Sequence, residues 1–410
     1  MDLTISAQGA QVLDKVRIFM DLHVYPAEKI YAEERAELMA QGRTNDVPKV
    51  LLELIATAKD QNLWNLFLSS ESELTAVDYA IIAEETGRSP YIAPSAMNCQ
   101  SPDSGNMEML EKFATKEQRR KYLEPLLAGS TRSAFSMTEP AVASSDATNI
   151  ETRIERDGDH YIINGRKWFS TGASDPRTDI LLVLGQSDPE ADRHQRHSVV
   201  IVPKNTPGVT VVRNIPVFGF YEQQGHAEVT YEDVRVPIAN VLGPEGGGFA
   251  VAQARLGPGR VHHCMRAIGM AERALELMCS RATSRTAFGG KLADQGVVKA
   301  NIAESRLEID QARLLVLRCA WRVDQVGVKA ARSDISAIKV VAPRMAERVL
   351  DRAIQLHGAA GVSDVTPLSE IWSRARTLRI VDGPEDVHIR TVARSELAPY
   401  VATVSGTVQI

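Results

Sequence analysis

Residues 135–145, FSMTEPAVASS, mark the point at which the sequence changes its period. Before them apolar residues recur at three and four; after them they alternate. Two predicted turns bring a second segment, residues 167–174, KWFSTGAS, back toward the first. Both segments join short hydroxyl side chains to small residues and an aromatic ring, a combination that lets backbone lie flat against a large planar ligand and bond to its edge. Neither contains a charged catalytic group of obvious power, so a residue that moves protons must come from elsewhere.

Working back from this point, the helical period runs over residues 7–128, with Val12, Val16, Phe19 and Met20 on one face and similar patterns at 50–58 and 76–85. Residues 86–110, rich in Pro, Ser, Asn and Gly, read as an interrupting loop, and residues 116–135 as a basic helix ending near Gly129. Working forward, Thr152 and Ile154, a turn at Asp157-Gly158-Asp159, then Tyr161 and Ile163 before Asn164-Gly165 read as antiparallel strands, because Asp-Gly and Asn-Gly suit tight hairpins. Further strands are expected at 179–185, 198–203, 209–213 and 228–236. Beyond residues 244–249, PEGGGF, four long amphipathic helices are expected at 256–284, 297–326, 333–355 and 368–380, the pattern of an antiparallel bundle. The expected class is α+β: an N-terminal helical domain (1–133), a central antiparallel β domain (134–240) and a C-terminal four-helix bundle (241–410).

The 410 residues, 44% hydrophobic and 24% charged, suffice for two or three cores, since single cores stop growing at roughly 250–300 residues. A net charge of -5 offers no global attraction to nucleic acid or an anionic membrane. Cys99, Cys264, Cys279 and Cys319 are scattered without CxxC spacing, which favours reduced core thiols over a disulfide or zinc framework, and no metal site is expected. Residues 1–26 lack the apolar run of a signal peptide, and no stretch approaches the ~20 apolar residues of a membrane span, so a cytoplasmic compartment is the expectation.

Thr138-Glu139-Pro140, Asn164-Gly165-Arg166-Lys167, Arg285-Thr286-Ala287-Phe288-Gly289 and the QxxGxxG run at 355–361 resemble, in order and spacing, the signature segments of the flavin-dependent acyl-CoA dehydrogenases. The resemblance implies FAD bound between the β domain and the bundle, with a neighbouring subunit contributing to the site. It further implies that Phe135, Met137, Thr138, Ser144 and Ser145 face the flavin and the thioester. Phe169 stands where most members carry tryptophan, Ser170 follows it, and Thr171 matches the threonine that bonds the flavin. Arg285 and Phe288 resemble residues that reach the pyrophosphate and adenine part of FAD across a subunit interface; Gln355, Gly358 and Gly383 are expected on the cofactor as well. Arg260, Val261 and His262, with Ser145, are expected on the acyl-CoA substrate. The usual GAGSD is one residue longer here, as AVASSD, which leaves open which of Ser144 and Ser145 meets flavin and which substrate. Gly296 falls where many members carry a glutamine near FAD.

Dehydrogenation at the α and β carbons of a thioester needs a base for the α proton, and a desolvated carboxylate is suited to it. Most members place a glutamate in a Tyr-Glu-Gly sequence where this chain has Val381-Asp382-Gly383, so Asp382 is the candidate base. One methylene shorter, it would fall ~1.5 Å short at fixed backbone, and misplacement on that order can cost ~10²-fold in rate. The family's alternative base position falls at Gly259, which cannot serve. Residues 101–108, SPDSGNME, narrow the resemblance to a subgroup with an aspartate base, fused in some organisms to a kinase-like domain. The subgroup suggests long, 2-methyl-branched or otherwise modified acyl chains in fatty acid β-oxidation, an electron-transferring flavoprotein as oxidant, and a homodimer or homotetramer.

Plainer readings stand beside these. Asp382-Gly383-Pro384-Glu385 alone is a turn leading into a helix. His262 and His263 could line an acyl pocket or form an ordinary half-buried helical face. Gly246-Gly247-Gly248 lacks the Lys-Ser/Thr of a phosphate loop and reads as a linker. Gly358 and Gly361 suit a helix C-cap, a role compatible with cofactor binding. Rival functions on the same scaffold are a flavin oxidase or monooxygenase, resembling nitroalkane oxidase or acyl-CoA oxidase, and a non-catalytic assembly protein.

Overall fold

A computed structural model provides the fold and describes residues 1–404; the last residues of the expected bundle, 405–410, lie outside the described residues. Helix α1 (Ala76–Gly87) starts at a reciprocal cap, in which the Thr75 hydroxyl accepts the Asp78 N–H and the Asp78 carboxylate accepts the Thr75 N–H. The expected loop at 86–110 holds more order than its composition suggests: helix α2 (Asp103–Phe113) lies largely inside it, its Asp103, Gly105 and Asn106 buried. The basic helix ends as read, at Gly129 in left-handed backbone (φ 70°).

Eight strands follow: β1 (Arg132–Ser136), β2 (Arg153–Asp157), β3 (His160–Thr171), β4 (Thr178–Gln186), β5 (His197–Pro203), β6 (Val209–Asn214), β7 (His226–Pro237) and β8 (Val241–Leu242). They form one sheet in the order β6-β7-β3-β2-β4-β5-β8, with β1 added along β4. The pairing is antiparallel except at β4, where β1 runs parallel over several residues and β2 touches through one pair. The Asp157-Gly158 turn joins β2 to β3 as expected. Asn164-Gly165 does not turn the chain. It lies inside β3, where the register with β7 slips between Ile163 and Gly165. The bulge is closed by Asn164 and Asp233, the Asp233 N–H donating to Asn164 Oδ1 at 2.8 Å. A side chain at Gly165 would come within 2.3 Å of Thr152 Oγ1, so glycine is required by the Thr152 side chain just before β2 rather than by a turn.

The C-terminal helices are α3 (Gly248–Ser284), α4 (Gly296–Ala330), α5 (Arg332–His357), α6 (Leu368–Thr377) and a fifth that the periodicity did not reveal, α7 (Glu385–Val404). Helix α3 begins before the expected residue 256 and continues through the Gly-Pro-Gly at 257–259. Helix α4 breaks at Gly327 (φ 76°, ψ 165°), one residue past its expected end. Between α3 and α4, β9 (Thr286–Ala287) and β10 (Gly290–Lys291) make a small hairpin.

By packing, the described chain forms two compact units. One comprises residues 19–73 and 94–259 and is built on the sheet, whose core includes Ile154, Tyr161, Leu181, Val200, Val229 and Tyr231. The other comprises residues 1–18, 74–93 and those from Arg260 onward, and is helical. Within it, α1 and α3 approach so closely that a Cβ at Gly269 would lie 2.0 Å from the Glu84 carbonyl and one at Gly87 2.4 Å from that of Arg266. An ion network brackets this crossing: Arg313 donates to Glu84 and Glu272, and Arg306 to Glu272. No helix among the described residues is long and apolar enough to cross a membrane. The four cysteines are free thiols, three of them buried.

Candidate active site

In the sheet unit, the Thr138-Glu139-Pro140 loop is anchored by a buried ion pair. Lys167 is fully buried, and its ammonium donates to Glu139 Oε1 at 2.8 Å and to the carbonyls of Met137 and Leu184 at 2.8 and 2.7 Å. Glu139 also accepts the N–H groups of Glu151 and Thr152. Burial pushes the Lys167 pKa down to about 8 despite Glu139. Burial also opposes ionisation of Glu139, but Lys167 and the N–H donors outweigh it and hold that carboxyl below its ordinary value. At neutral pH both remain charged, and removing one partner from such a pair costs about 3–5 kcal/mol. The pair fixes the backbone on both sides of Thr138, whose carbonyl receives the Trp168 N–H at 2.9 Å.

The two adjacent serines of AVASS differ in burial. Ser144 is buried, and its hydroxyl accepts the Glu139 N–H at 2.9 Å, closing the loop on itself. Ser145 is exposed. The Ser144 hydroxyl is therefore taken up inside its own loop, and of the two it is Ser145 that presents its hydroxyl outward.

The opposite side of this loop's hydrogen bond is a second bulge in β3. Lys167 pairs with Val229 and Ser170 with Ala227, so Trp168 and Phe169 together face Glu228. The extra residue forces Phe169 into left-handed backbone (φ 50°) and turns its ring outward, 41% exposed, edge-on to Trp168 with centroids 5.2 Å apart. The Trp168 Nε1 is buried without a hydrogen-bond partner. Thr171 is half-buried and its hydroxyl lies 2.8 Å from His226 Nδ1. Ser170 departs from expectation: it is fully buried, and its hydroxyl meets Ser136 Oγ, which in turn receives the Tyr231 hydroxyl. Alternation explains this, because Ser170 falls on the core side of β3 once the bulge has reset the register. Phe135 is likewise mostly buried in β1, while Met137 and Thr138 are half-buried.

In the helical unit, Asp382 sits between α6 and α7 in left-handed backbone (φ 56°), followed by Gly383 (φ 98°). Three side chains from three helices hold the loop by its carbonyls. From α3, Arg260 Nε and Nη2 donate to the Asp382 carbonyl at 3.0 and 2.9 Å. From α5, the fully buried Lys339 donates to the carbonyls of Leu378 and Val381 at 2.6 and 2.8 Å. From α7, His388 Nε2 lies 3.3 Å from the Asp382 carbonyl, and burial brings the His388 pKa down to about 4, which keeps the ring neutral. A further brace runs beneath: Arg379 forks onto Glu385 and reaches Glu347, and Arg344 joins Glu385. The Asp382 carboxylate itself keeps 17% of its surface open, with His263 Nε2 3.3 Å from Oδ2.

Arg260 therefore sits beside the candidate base, but Val261 and His262 turn away from it. Both are buried, and His262 packs edge-on against Tyr79 at 4.6 Å; burial drives its pKa well below the usual value. His262, expected on the substrate, thus lies against Tyr79 rather than beside Asp382. Consecutive residues point in different directions on a helix, whereas residues three apart share a face. Arg260 and His263 have that spacing, a signal available in the sequence. Lys339 and His388 come from distant segments and carry no comparable local mark.

The remaining expected residues lie elsewhere in the helical unit. Phe288 and Gly289 form the two-residue tip of the β9–β10 hairpin, both with positive φ (51° and 85°), and the Phe288 ring is wholly exposed. Arg285, just before β9, is exposed. Gln355 is exposed in the last turn of α5, and Gly358 ends that helix with φ 61° and ψ -135°.

Comparison with known sequences matches this architecture part by part. Residues 7–130, 134–234 and 246–397 correspond to the N-terminal, middle and C-terminal domains of acyl-CoA dehydrogenase. The chain belongs to the acyl-CoA dehydrogenase family. Among its relatives in that family, the probable acyl-CoA dehydrogenase FadE2 of Mycobacterium tuberculosis is 56% identical over 408 residues, covering all of both chains. Chicken acyl-CoA dehydrogenase family member 11 is 51% identical over 398 residues, which cover 96% of this chain and 51% of that protein. The chain thus spans the whole of the bacterial relative and about half of the vertebrate one. A solved acyl-CoA dehydrogenase structure from Mycobacterium abscessus is 48% identical and superposes with a TM-score of 0.94 over 97% of this chain and all of that one. The same fold, at 20% identity and a TM-score of 0.79 over 96% and 95% of the two chains, occurs in a glutaryl-CoA dehydrogenase from Mycobacterium smegmatis solved with FADH2.

Proposed function

We propose that this family member removes two hydrogens from the α and β carbons of an acyl-CoA thioester, giving the trans-2-enoyl-CoA, with Asp382 as the α-proton base and FAD as cofactor. The observation that carries the reading is the Asp382 loop: a partly open carboxylate on a backbone held at three carbonyls by Arg260, Lys339 and His388. The two cations fix the loop through its carbonyls, so the segment is rigid while Asp382 retains a carboxylate that can accept a proton.

The sheet unit fits the cofactor. An outward aromatic ring, the exposed Ser145, the half-buried Thr171 hydroxyl and the unpaired Trp168 Nε1 supply an apolar surface with hydrogen-bonding groups at its margin, which suits a planar heteroaromatic ring. Phe169, Thr171, Ser145 and the backbone of Met137 and Thr138 would hold that ring. Arg285, Phe288, Gln355 and Gly358 would take the rest of the cofactor, with the exposed Phe288 tip suited to a second copy in a homodimer or homotetramer. When bound, FAD supplies the acceptor for the β hydrogen, and an electron-transferring flavoprotein is the fitting oxidant in β-oxidation. Asp382 takes the α proton at a carboxylate oxygen and later returns it to solvent, while Arg260 keeps the loop from retreating as that charge is lost.

The test is anaerobic mixing of the yellow protein with a panel of acyl-CoAs while flavin bleaching is followed. Asp382→Asn is expected to retain FAD and lose reduction by ~10³-fold, within the range that removal of a positioned base produces. Reduction at the parent rate would remove Asp382 from the role, and peroxide formation in air matching turnover would replace the dehydrogenase reading by an oxidase.

A further inference from the structure

Strand β4 changes partner along one edge. It runs beside β1 as far as Val183, opposite Ser136, and meets β2 at Gln186, opposite Arg153. Leu184 falls in the changeover, and Met137 is the first residue past β1. Lys167, reaching from β3, fills this gap. Its ammonium has three donors, which go to the Leu184 and Met137 carbonyls at 2.7 and 2.8 Å and to Glu139 Oε1 at 2.8 Å. An apolar side chain could close the gap without burying a charge. What it could not do is draw the Met137 carbonyl and the Glu139 carboxylate inward together, on the two sides of Thr138.

We propose that Lys167 is a positioning residue for the cofactor: by turning the polar groups on both sides of Thr138 into the sheet, it keeps the Thr138 N–H and hydroxyl available to the flavin ring. The inference rests on the FAD reading above. The Thr138 carbonyl is taken by the Trp168 N–H, whereas the N–H and hydroxyl of this half-buried residue have no partner among the described residues.

Charge gives the arrangement a signature. Burial disfavours the Lys167 ammonium most strongly and Glu139 opposes it, which leaves the pKa at about 8. From β5, His197 faces the pair; burial holds its pKa below the ordinary value, so its titration lies below that of Lys167. Arg196 precedes it and donates to the Ala191 carbonyl. Around β2, Glu151 and Arg153 are exposed, and on β3 the exposed Arg166 pairs with Glu228 of β7. Above about pH 8 Lys167 therefore loses its charge and its hold on Glu139, and FAD binding weakens as pH rises.

The experiment dialyses the FAD-loaded protein to equilibrium at graded pH between 6.5 and 10.5, the ordinary histidine and lysine values, and reads bound and free flavin by absorbance. The parent is expected to hold FAD about tenfold less tightly at the alkaline end, the equivalent of one pKa unit of linkage, with the limb centred at about 8. Glu139→Gln leaves the ammonium without its anion and is expected to move the limb to lower pH. Lys167→Met combined with Glu139→Gln leaves no charge in the pair. It is expected to bind FAD ~10-fold less tightly than the parent at the acid end, the size of effect that loss of a charge-assisted hydrogen bond has, and to show no limb. The proposal is overturned if the parent affinity is flat over this span, if the limb persists in the double variant, or if that variant keeps the parent affinity. It is overturned equally if loss of FAD tracks a fall in melting temperature of the cofactor-free protein over the same span, which is what a peg for the sheet alone would give. Should the double variant fail to fold, the parent profile and the Glu139→Gln shift decide. A parent that takes up no FAD defeats the cofactor reading itself and this inference with it, whereas FAD held equally at every pH defeats the positioning role alone.

Discussion

Phe169 and Asp382 are both non-glycine residues in left-handed backbone, at φ 50° and 56°, the first 41% exposed and the second with a side chain 17% exposed. Their supports differ. Phe169 is held by a bulge in the β3–β7 ladder, by the Trp168 N–H on the Thr138 carbonyl, and by the inward hydroxyl chain of Ser170, Ser136 and Tyr231. Asp382 has no ladder and is held by two cations and a histidine on backbone carbonyls. An apolar ring offered to a ligand needs only fixed backbone beneath it. The loop that carries the proposed base is instead gripped by cations on its backbone carbonyls, which fixes the point from which the side chain starts. In both places the strain of positive φ, ~1–3 kcal/mol each, persists because the surroundings over-determine it.

Removing the Asp382 carboxylate is the largest perturbation of this contrast, and disturbing the brace while leaving the carboxylate comes next. Gly383→Ala places a Cβ at φ 98°, 3.1 Å from His388 Nε2 and 3.7 Å from Arg260 Nη2. Flavin reduction is expected to fall by about 10²-fold while bound FAD is unchanged, as displacement of a base of ~1 Å produces; a parent rate by stopped flow would mean the loop tolerates movement. On the other side, Phe169→Ala removes the exposed ring and leaves the ladder. FAD affinity is expected to weaken about tenfold, corresponding to ~1.4 kcal/mol of aromatic contact, with melting temperature of the cofactor-free protein nearly unchanged. Titration of the cofactor-free protein with FAD measures it, and an unaltered affinity would detach Phe169 from the cofactor.

The smallest effect concerns the outer brace. Hydrogen bonds from Arg379 hold the Glu385 carboxyl down at about 2 from its ordinary 4.5. A depressed folded-state value means that this stabilisation is complete above about pH 4.5 and is lost as pH falls toward 2. The parent protein is therefore expected to lose more stability across that window than Glu385→Gln, the difference between their melting temperatures closing at the acid end. Parallel acid melting curves would place the brace outside the stability of this unit.

The order helix, strand, helix was legible because each period extends over many residues, and the basic helix stopped at Gly129 as its composition implied. Legibility failed where a local signal has two uses. Asn164-Gly165 is a hairpin signal that here serves a bulge pressed against Thr152, and the Pro- and Gly-rich stretch at 86–110 holds much of a buried helix. At the candidate site, Asp382 and Arg260 were marked by the resemblance, whereas the sequence offered His262 and His263 together without telling which of them lies beside Asp382. Lys339 and His388 were invisible, because a lysine or histidine on an amphipathic helix looks the same whether it meets water or a distant carbonyl.

The sequence by itself determined the class of fold and the family, and it put forward Asp382 as the carboxylate proposed for the base, since these rest on periodicity and on residues adjacent in the chain. Tertiary structure alone decided which serine of AVASS faces outward, that Ser170 and His262 point inward, and that three helices converge on the Asp382 loop. Those outcomes depend on strand register, helix rotation and contacts between residues more than a hundred positions apart, such as Arg260 and Asp382, which no local pattern encodes.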